Sequence, residues 1–446
     1  MWTEPKLSQW AEAAGGQLLG DDVVVTQVST DSRSLTAGDI YVALKGEHFD
    51  GHAYVDAALE KGAAAVVVEA QQSTSVAQLM VPDTRLALGQ LAGLLRQAFS
   101  GQVVALTGSA GKTSTRAMLQ RIFAQQPGLL ATEGNFNNDI GVPKTWFRIA
   151  AEHQRVLLEL GANAQGEIAW TAGFSRPHIS LLLNASEAHS EGFGGLDGVR
   201  LAKGEIIDGT LADGYCVLNR DDPAFEQWRK RAGSRSVLSF GESEQADVRL
   251  LDFETTATGS AFRVRLPAGE ISVSWSMLGR HMALNAVAAA ATAWVAGLSL
   301  PTIGEGLQAM QPEPGRLHPV PSQHGGLLVD DSYNANPASV RAAIDVLAPS
   351  SDDTLLILGD MAELGADAER LHAQVGDYAR GRISAVWTLG ALSASASAAC
   401  GGEHFDSIET LMAALSSRLT KTTAVLVKGS RSAGMERVVE TLKRKT

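Results

Sequence analysis

Between Val103 and Asp222, four short apolar runs recur: VVALTG, RVLLEL, ISLLLNAS and GYCVLNRDD. Each ends in or beside a glycine, carboxylate or amide, and helical stretches separate most of them. A strand that is apolar on both faces must be covered on both sides. Strands alternating with helices therefore predict a parallel sheet with helices packed on each face. Ligands of such sheets sit beyond the carboxyl ends of the strands. That rule points to Gly108–Ser114, Glu159–Asn163, Asn184–His189 and Asn219–Asp222.

The first of these segments carries the strongest signal. LTGSAGKTS runs from Leu106 to Ser114, after a buried run and before a helical stretch. In that setting Thr107, Gly108, Ser109, Ala110, Gly111, Lys112, Thr113 and Ser114 predict a phosphate-binding loop for ATP. Backbone N–H groups can ring the phosphates, Lys112 adds a positive charge, and the Thr113 hydroxyl can ligate Mg²⁺. The helix start adds a favourable dipole. The glycine that usually stands five residues before the Gly-Lys pair is replaced by Leu106.

Elsewhere the pattern divides the chain. DIYVALKG and GAAAVVVEA predict buried strands, PDT marks a boundary, and LALGQLAGLLRQAF predicts an amphipathic helix. In AFRVRLPAGEISVSWSM apolar and polar residues alternate around PAG, which predicts an antiparallel hairpin as a side sheet. QPEPGRLHPVP breaks any helix. Beyond it GLLVDDSYNANP, TLLILGDMAELG, AVWTLG and AVLVKGSRSAG predict a second, smaller open sheet. The fold class is thus α/β with three domains. They are a small mixed α/β domain over 1–83, a central P-loop parallel-sheet domain with a side β-sheet over 84–312, and a Rossmann-like open sheet over 313–446. A length of 446 residues fits three domains of roughly 150 residues each.

Net charge is −12 with no basic stripe, which argues against nucleic acid as a partner. The two cysteines, Cys216 and Cys400, exclude a disulfide framework and are expected to be buried small apolar residues. The N-terminal MWTEPKLSQW lacks the pattern of a signal peptide. His281–Leu300 is alanine-rich but carries His281 and Asn285, which predicts a packed helix rather than a membrane span. The expectation is a cytoplasmic monomer with no membrane insertion.

LTGSAGKTS resembles the ATP loop of the Mur ligases, in which an aliphatic residue commonly takes the place of Leu106. That family joins amino acids or peptides to the bacterial cell-wall precursor. The resemblance implies that Glu159, His189 and Lys203 join Thr113 at the metal ions, with Lys203 carbamylated, and that Lys112, Lys203 and His189 serve catalysis. LGRHMALNAVAAA implies adenine contact by His281 and Asn285. Arg316 would reach the ATP phosphates and Asp331 the ribose, with Tyr333, Asn334 and Asn336 nearby.

Other stretches narrow the branch. STDSRSLTAGDIYVALKGEHFDGHAYVDAALEKGA resembles a uridine-binding domain, placing Thr30, Asp31, Ser32, Arg33, Asp50, Gly51 and His52 beside the UDP moiety. EGNFNNDIGVP resembles a segment of the branch that adds D-alanyl-D-alanine, with Asn137 and Asn138 on the muramoyl peptide. LGDMAELG and VKGSRSAGMERV match that branch too, and Lys428, Ser430 and Arg431 are candidates for the dipeptide. The implied partners are UDP-MurNAc-tripeptide and D-alanyl-D-alanine, with ATP and Mg²⁺. The alternatives are the diamino-acid-adding branch, whose Asp-Asn-Pro-Arg signature does not occur here, and a non-ligase nucleotide-binding module.

Overall fold

The computed structural model describes residues 4–46, 49–186, 193–256 and 259–444. Three large sheets carry the chain, beside a two-stranded pair of Lys45–Gly46 and Phe49–Asp50. The central one has nine strands, in the spatial order Gly269–Trp275, Gly259–Leu266, Val248–Thr256, Ser236–Gly241, Tyr215–Asn219, Ile179–Leu182, Gln102–Thr107, Arg155–Glu159 and Leu129–Ala131. Its six strands from Ser236–Gly241 to Leu129–Ala131 pair in parallel. Alternation then sorts their side chains. Val103, Ala105, Val156, Leu158, Cys216 and Leu218 face one core, while Val104, Leu106, Leu157 and Val217 face the other.

Small residues decide how closely the second layer approaches. Helix Arg280–Val295 buries a run of alanines against the strand face carrying Val104 and Leu106. Helix Lys112–Phe123 packs beside it through Met118, Leu119, Ile122 and Phe123. The opposite face meets helix Thr84–Ala98, whose start is capped by Asp83 accepting from Arg85 N and Leu86 N. The PDT stretch is thus a helix cap. Trp10 Nε1 donates to Ala87 O at 2.8 Å, tying the N-terminal helix Leu7–Ala14 to the same layer.

The hairpin expected from the alternating segment is present, in the register Ser260↔Trp275 to Leu266↔Gly269. The side sheet holds one more strand than the sequence pattern suggests, Val248–Thr256. Two parallel residue pairs, Phe240↔Val248 and Gly241↔Arg249, join it to the central sheet.

The first sheet orders Gln17–Leu19, Ala77–Met80, Ala65–Val68, Ile40–Val42 and Val28–Ser29, parallel except at Gln17–Leu19. The third orders His318–Val320, Leu328–Asp331, Thr423–Lys428, Asp353–Gly359, Ala385–Leu389 and Glu403–Phe405. Only His318–Val320 runs antiparallel there. Both three-residue edge strands of this sheet, like Leu129–Ala131, are too short to show a period in the sequence. Cys216 is buried as expected, whereas Cys400 is only half-buried near the end of helix Ala394–Cys400. Among the described residues no helix is long and apolar enough to cross a membrane.

Candidate active site

Parallel register brings the strand ends together. Glu159 pairs with Leu106, and Leu182 with Thr107, so the segments after three neighbouring strands open on one rim. Thr107 Oγ1 donates to Leu160 O at 2.7 Å across that rim. Ser109 N donates to Asn184 O at 3.1 Å and Ala110 N to Asn184 Oδ1 at 2.9 Å. These two amides brace the loop from the next strand's end instead of facing a ligand. The first helical bond runs from Thr115 N to Gly111 O at 2.9 Å. It leaves the amides of Lys112, Thr113 and Ser114 as the helix-start donors for an anion.

Gly111 makes the turn possible. Its φ is +83°, and a Cβ there would lie 2.5 Å from Asn285 Oδ1. Asn285, expected at adenine, packs directly against Gly111 of the loop. Lys112 Nζ donates to Gly108 O at 2.6 Å. Desolvation lowers the Lys112 pKa from its ordinary value, with Glu159 opposing and Arg316 adding to the fall. A phosphate beside it reverses that balance by supplying negative charge.

Glu159 is buried at 2 % exposure. Its Oε1 accepts from Asn137 Nδ2 at 2.9 Å and from Thr113 Oγ1 at 3.4 Å. Arg116 Nη1 stands 3.3 Å from Oε2 and donates to Gly134 O at 2.8 Å. Oε2 itself is buried and accepts no hydrogen bond among the described residues. A buried carboxylate oxygen with an unused lone pair, beside a hydroxyl, is a hard-oxygen donor set suited to Mg²⁺. That ion is commonly held by one or two carboxylates plus substrate phosphates. Among the described residues no three His, Cys, Asp or Glu side chains cluster into a metal cage. His189 lies outside the described residues.

Lys203 is 2 % exposed on helix Leu196–Gly209, with Nζ 5.2 Å from the centre of the Phe193 ring. Desolvation first, then repulsion from Lys112, lowers its pKa to about 7. Glu205, two residues on, accepts from Gly166 N at 2.8 Å and Ala169 N at 2.9 Å, capping helix Glu167–Ser175.

The substrate candidates near the N-terminus form a separate cluster. Asp31 Oδ1 accepts from Arg33 N at 2.9 Å, and the exposed Arg33 guanidinium pairs with Asp31 Oδ2 at 2.8 Å. These bonds bring the Asp31 pKa down to about 2. Thr30 and Ser32 flank that turn. His52 Nε2 accepts from Glu69 N at 2.9 Å, which leaves the proton on Nδ1, 2.6 Å from Asp50 Oδ1. Gly51 O accepts from Tyr41 OH at 3.0 Å. Asn137 and Asn138, expected on the peptide, have structural partners. Asn137 holds Glu159, and Asn138 Oδ1 accepts from Gly141 N at 2.8 Å at the start of helix Gly141–Trp146.

Helix Pro337–Leu347 of the third unit lies against the start of the alanine-rich helix, where a Cβ on Gly279 would meet Val346 at 2.8 Å. Burial, then the Lys428 charge, lowers the His281 pKa to about 4. Arg316 stacks over Tyr333, 4.2 Å from its ring centre. With Ser114, Ala117, Met277, Met282, Met310 and Glu313 it lines a small cavity beside the phosphate helix. Lys428, expected at the dipeptide, is 3 % exposed and donates to Asp331 Oδ2 at 2.6 Å. Ser430 donates to Asp360 O through both N and Oγ, and Asn336 caps helix Pro337–Leu347. Asn334 O accepts from Lys428 Nζ at 2.9 Å. Arg431 is exposed, 3.8 Å from Glu436.

Sequence reasoning gave no role to Arg116 and placed Asn184 only within the strand-end segment Asn184–His189. Arg116 is signalled by its position four residues after Lys112, on the same helical face. Asn184 is signalled only by ending a strand.

A P-loop on a parallel sheet, with a buried carboxylate at the neighbouring strand end and a second open sheet leaning on the rim, defines a nucleotide-dependent α/β enzyme framework. The chain belongs to the Mur ligase family. Residues 24–94 match the Mur ligase family catalytic domain, 106–293 the Mur ligase middle domain, and 315–431 the Mur ligase glutamate ligase domain. It is 44% identical over 441 residues to the UDP-N-acetylmuramoyl-tripeptide–D-alanyl-D-alanine ligase of Escherichia coli K12, covering 98% of each chain. Identity to the ligase of the same name from Bacillus subtilis 168 is 31% over 435 residues, with 95% of this chain and 94% of the other covered. The crystal structure of MurF from Acinetobacter baumannii superposes with a TM-score of 0.92 at 34% identity, covering 98% of this chain and 99% of that one. MurF ligase from Thermotoga maritima in complex with ADP gives 0.85 at 28% identity, covering 93% and 96%.

Proposed function

We propose that this chain is an ADP-forming amide ligase. It adds D-alanyl-D-alanine to UDP-MurNAc-tripeptide and yields UDP-MurNAc-pentapeptide, ADP and phosphate. The observation that carries the reading is the end-to-end similarity to ligases of that name, 98% of both chains at 44% identity. The convergence of Lys112, Thr113 and Glu159 at one rim supports the chemistry.

The tripeptide's terminal carboxylate attacks the γ-phosphorus of ATP, the bond to the β-phosphate oxygen breaks, and ADP leaves. The amine of D-alanyl-D-alanine attacks the acyl phosphate, loses a proton, and expels inorganic phosphate as the amide forms. Helix-start amides at Lys112–Ser114, the Lys112 ammonium and the Arg316 guanidinium neutralise the transferring oxygens. Thr113 and Glu159 would hold a magnesium ion, which supplies further charge neutralisation when bound. Lys203, partly neutral near pH 7, can add CO₂ to give a carbamate and one proton, and so present a second anionic arm to that site.

The three units divide the work: residues 1–83 hold the UDP end at Asp31, Arg33 and Asp50, 84–312 activate the acid, and 313–446 complete the nucleotide site. A coupled ADP-release assay tests the reading. Turnover should require UDP-MurNAc-tripeptide and D-alanyl-D-alanine together. Turnover with a free diamino acid instead, or ATP hydrolysis indifferent to both substrates, would refute it.

A further inference from the structure

The segment joining the central and third sheets is held in an unusual backbone. Gly315 has φ +74° and Leu317 has φ +46°, so two residues in the left-handed region flank Arg316. Glycine tolerates this; a buried leucine does so only when its surroundings impose it. What imposes it is visible. Gly315 N donates to Asp330 Oδ2 at 3.0 Å, and Leu317 N to Asp331 Oδ1 at 3.1 Å. Tyr333 N returns a bond to Gly315 O at 3.1 Å. Asp331 is fixed in turn by Lys428 from the neighbouring strand, where Asp331 and Lys428 are register partners. Lys428 also donates to Asn334 O at 2.9 Å. Arg316 emerges between the two pinned residues, stacked on Tyr333.

We propose that Lys428 is a positioning residue for the nucleotide: through Asp331 it locks the Gly315–Leu317 turn, and so aims Arg316 at the phosphate loop. The inference rests on Arg316 meeting ATP. It departs from the sequence-based placement of Lys428 at the dipeptide. Both Asp331 oxygens are engaged within the chain, so Asp331 belongs to the same lock.

Steady-state kinetics on the full chain test this, with ATP varied against saturating UDP-MurNAc-tripeptide and D-alanyl-D-alanine. Arg316→Ala and Lys428→Met should each raise the KM for ATP about tenfold or more, and the double variant should be no worse than Arg316→Ala alone. The KM for D-alanyl-D-alanine should stay within about twofold in Lys428→Met. If Lys428→Met multiplies the ATP effect in the Arg316→Ala background, or raises the dipeptide KM instead, the lock is wrong while Arg316 keeps its role. If Arg316→Ala leaves the KM for ATP unchanged, the nucleotide reading of Arg316 fails and the lock with it. Should Lys428→Met not fold, the pair Lys428→Met/Asp331→Ala leaves no unpaired buried charge and serves in the same comparison.

Discussion

Asn137 Nδ2 donates to Glu159 Oε1 at 2.9 Å and leaves Oε2 of that carboxylate without a hydrogen-bond donor. One oxygen is thereby fixed, while the other accepts no hydrogen bond and faces the Arg116 guanidinium at 3.3 Å. If Glu159 holds magnesium as proposed, this amide orients the carboxylate without adding a charge of its own. Asn137→Ala should raise the magnesium concentration needed for half-maximal activity about 10- to 100-fold, with partial rescue at high magnesium. A magnesium titration of ADP release checks it. An unchanged magnesium requirement with a raised KM for UDP-MurNAc-tripeptide would return Asn137 to the peptide.

Gly111 meets two demands at once, a left-handed φ and contact with Asn285 Oδ1. Gly111→Ala should cost roughly 1–3 kcal/mol in strain at this turn and remove most ATP binding. Isothermal titration with a non-hydrolysable ATP analogue, alongside thermal unfolding, separates the two effects. UDP-MurNAc-tripeptide binding should persist, since the proposed contacts to its UDP end lie within residues 1–83.

His281 titrates low in the folded chain, at about 4 against an ordinary 6.5. The unfolded chain therefore takes up this proton first as pH falls. Stability from neutral His281 is complete above pH 6.5 and is lost on the way down to about 4. Melting temperatures across that window should decline less steeply in His281→Gln than in the parent chain.

The buried Lys203 follows the same sign over a higher pH window. Its folded pKa of about 7 lies far below the ordinary 10.5. Between those values the unfolded chain binds the extra proton, so this group destabilises at pH 7 and the penalty shrinks as pH rises toward 10.5. Lys203→Met should melt higher than the parent at pH 7 and be inactive. If the carbamate forms, activity of the parent chain should rise with added bicarbonate, and mass spectrometry of unheated protein should show the adduct.

The parallel central sheet was legible because VVAL, RVLL and ISLL are apolar on both faces, a pattern that only double-sided burial explains. Edge strands such as Leu129–Ala131 and Glu403–Phe405 were not, since three residues carry no period. At the site, residue types at strand ends were readable, but the partners they choose were not. Nothing local told Asn137 to hold Glu159 or Lys428 to turn inward to Asp331. Those choices depend on strand register, and Asp331 faces Lys428 across 97 residues of sequence. The left-handed Leu317 was equally hidden, because its conformation is imposed by Asp331 and not by its own side chain.

The most direct test follows oxygen. UDP-MurNAc-tripeptide carrying ¹⁸O in both oxygens of its terminal carboxylate is turned over with ATP and D-alanyl-D-alanine, and the phosphate released is analysed by mass. Formation of an acyl phosphate at the Lys112 loop predicts one ¹⁸O in each phosphate. Phosphate free of the label would contradict it.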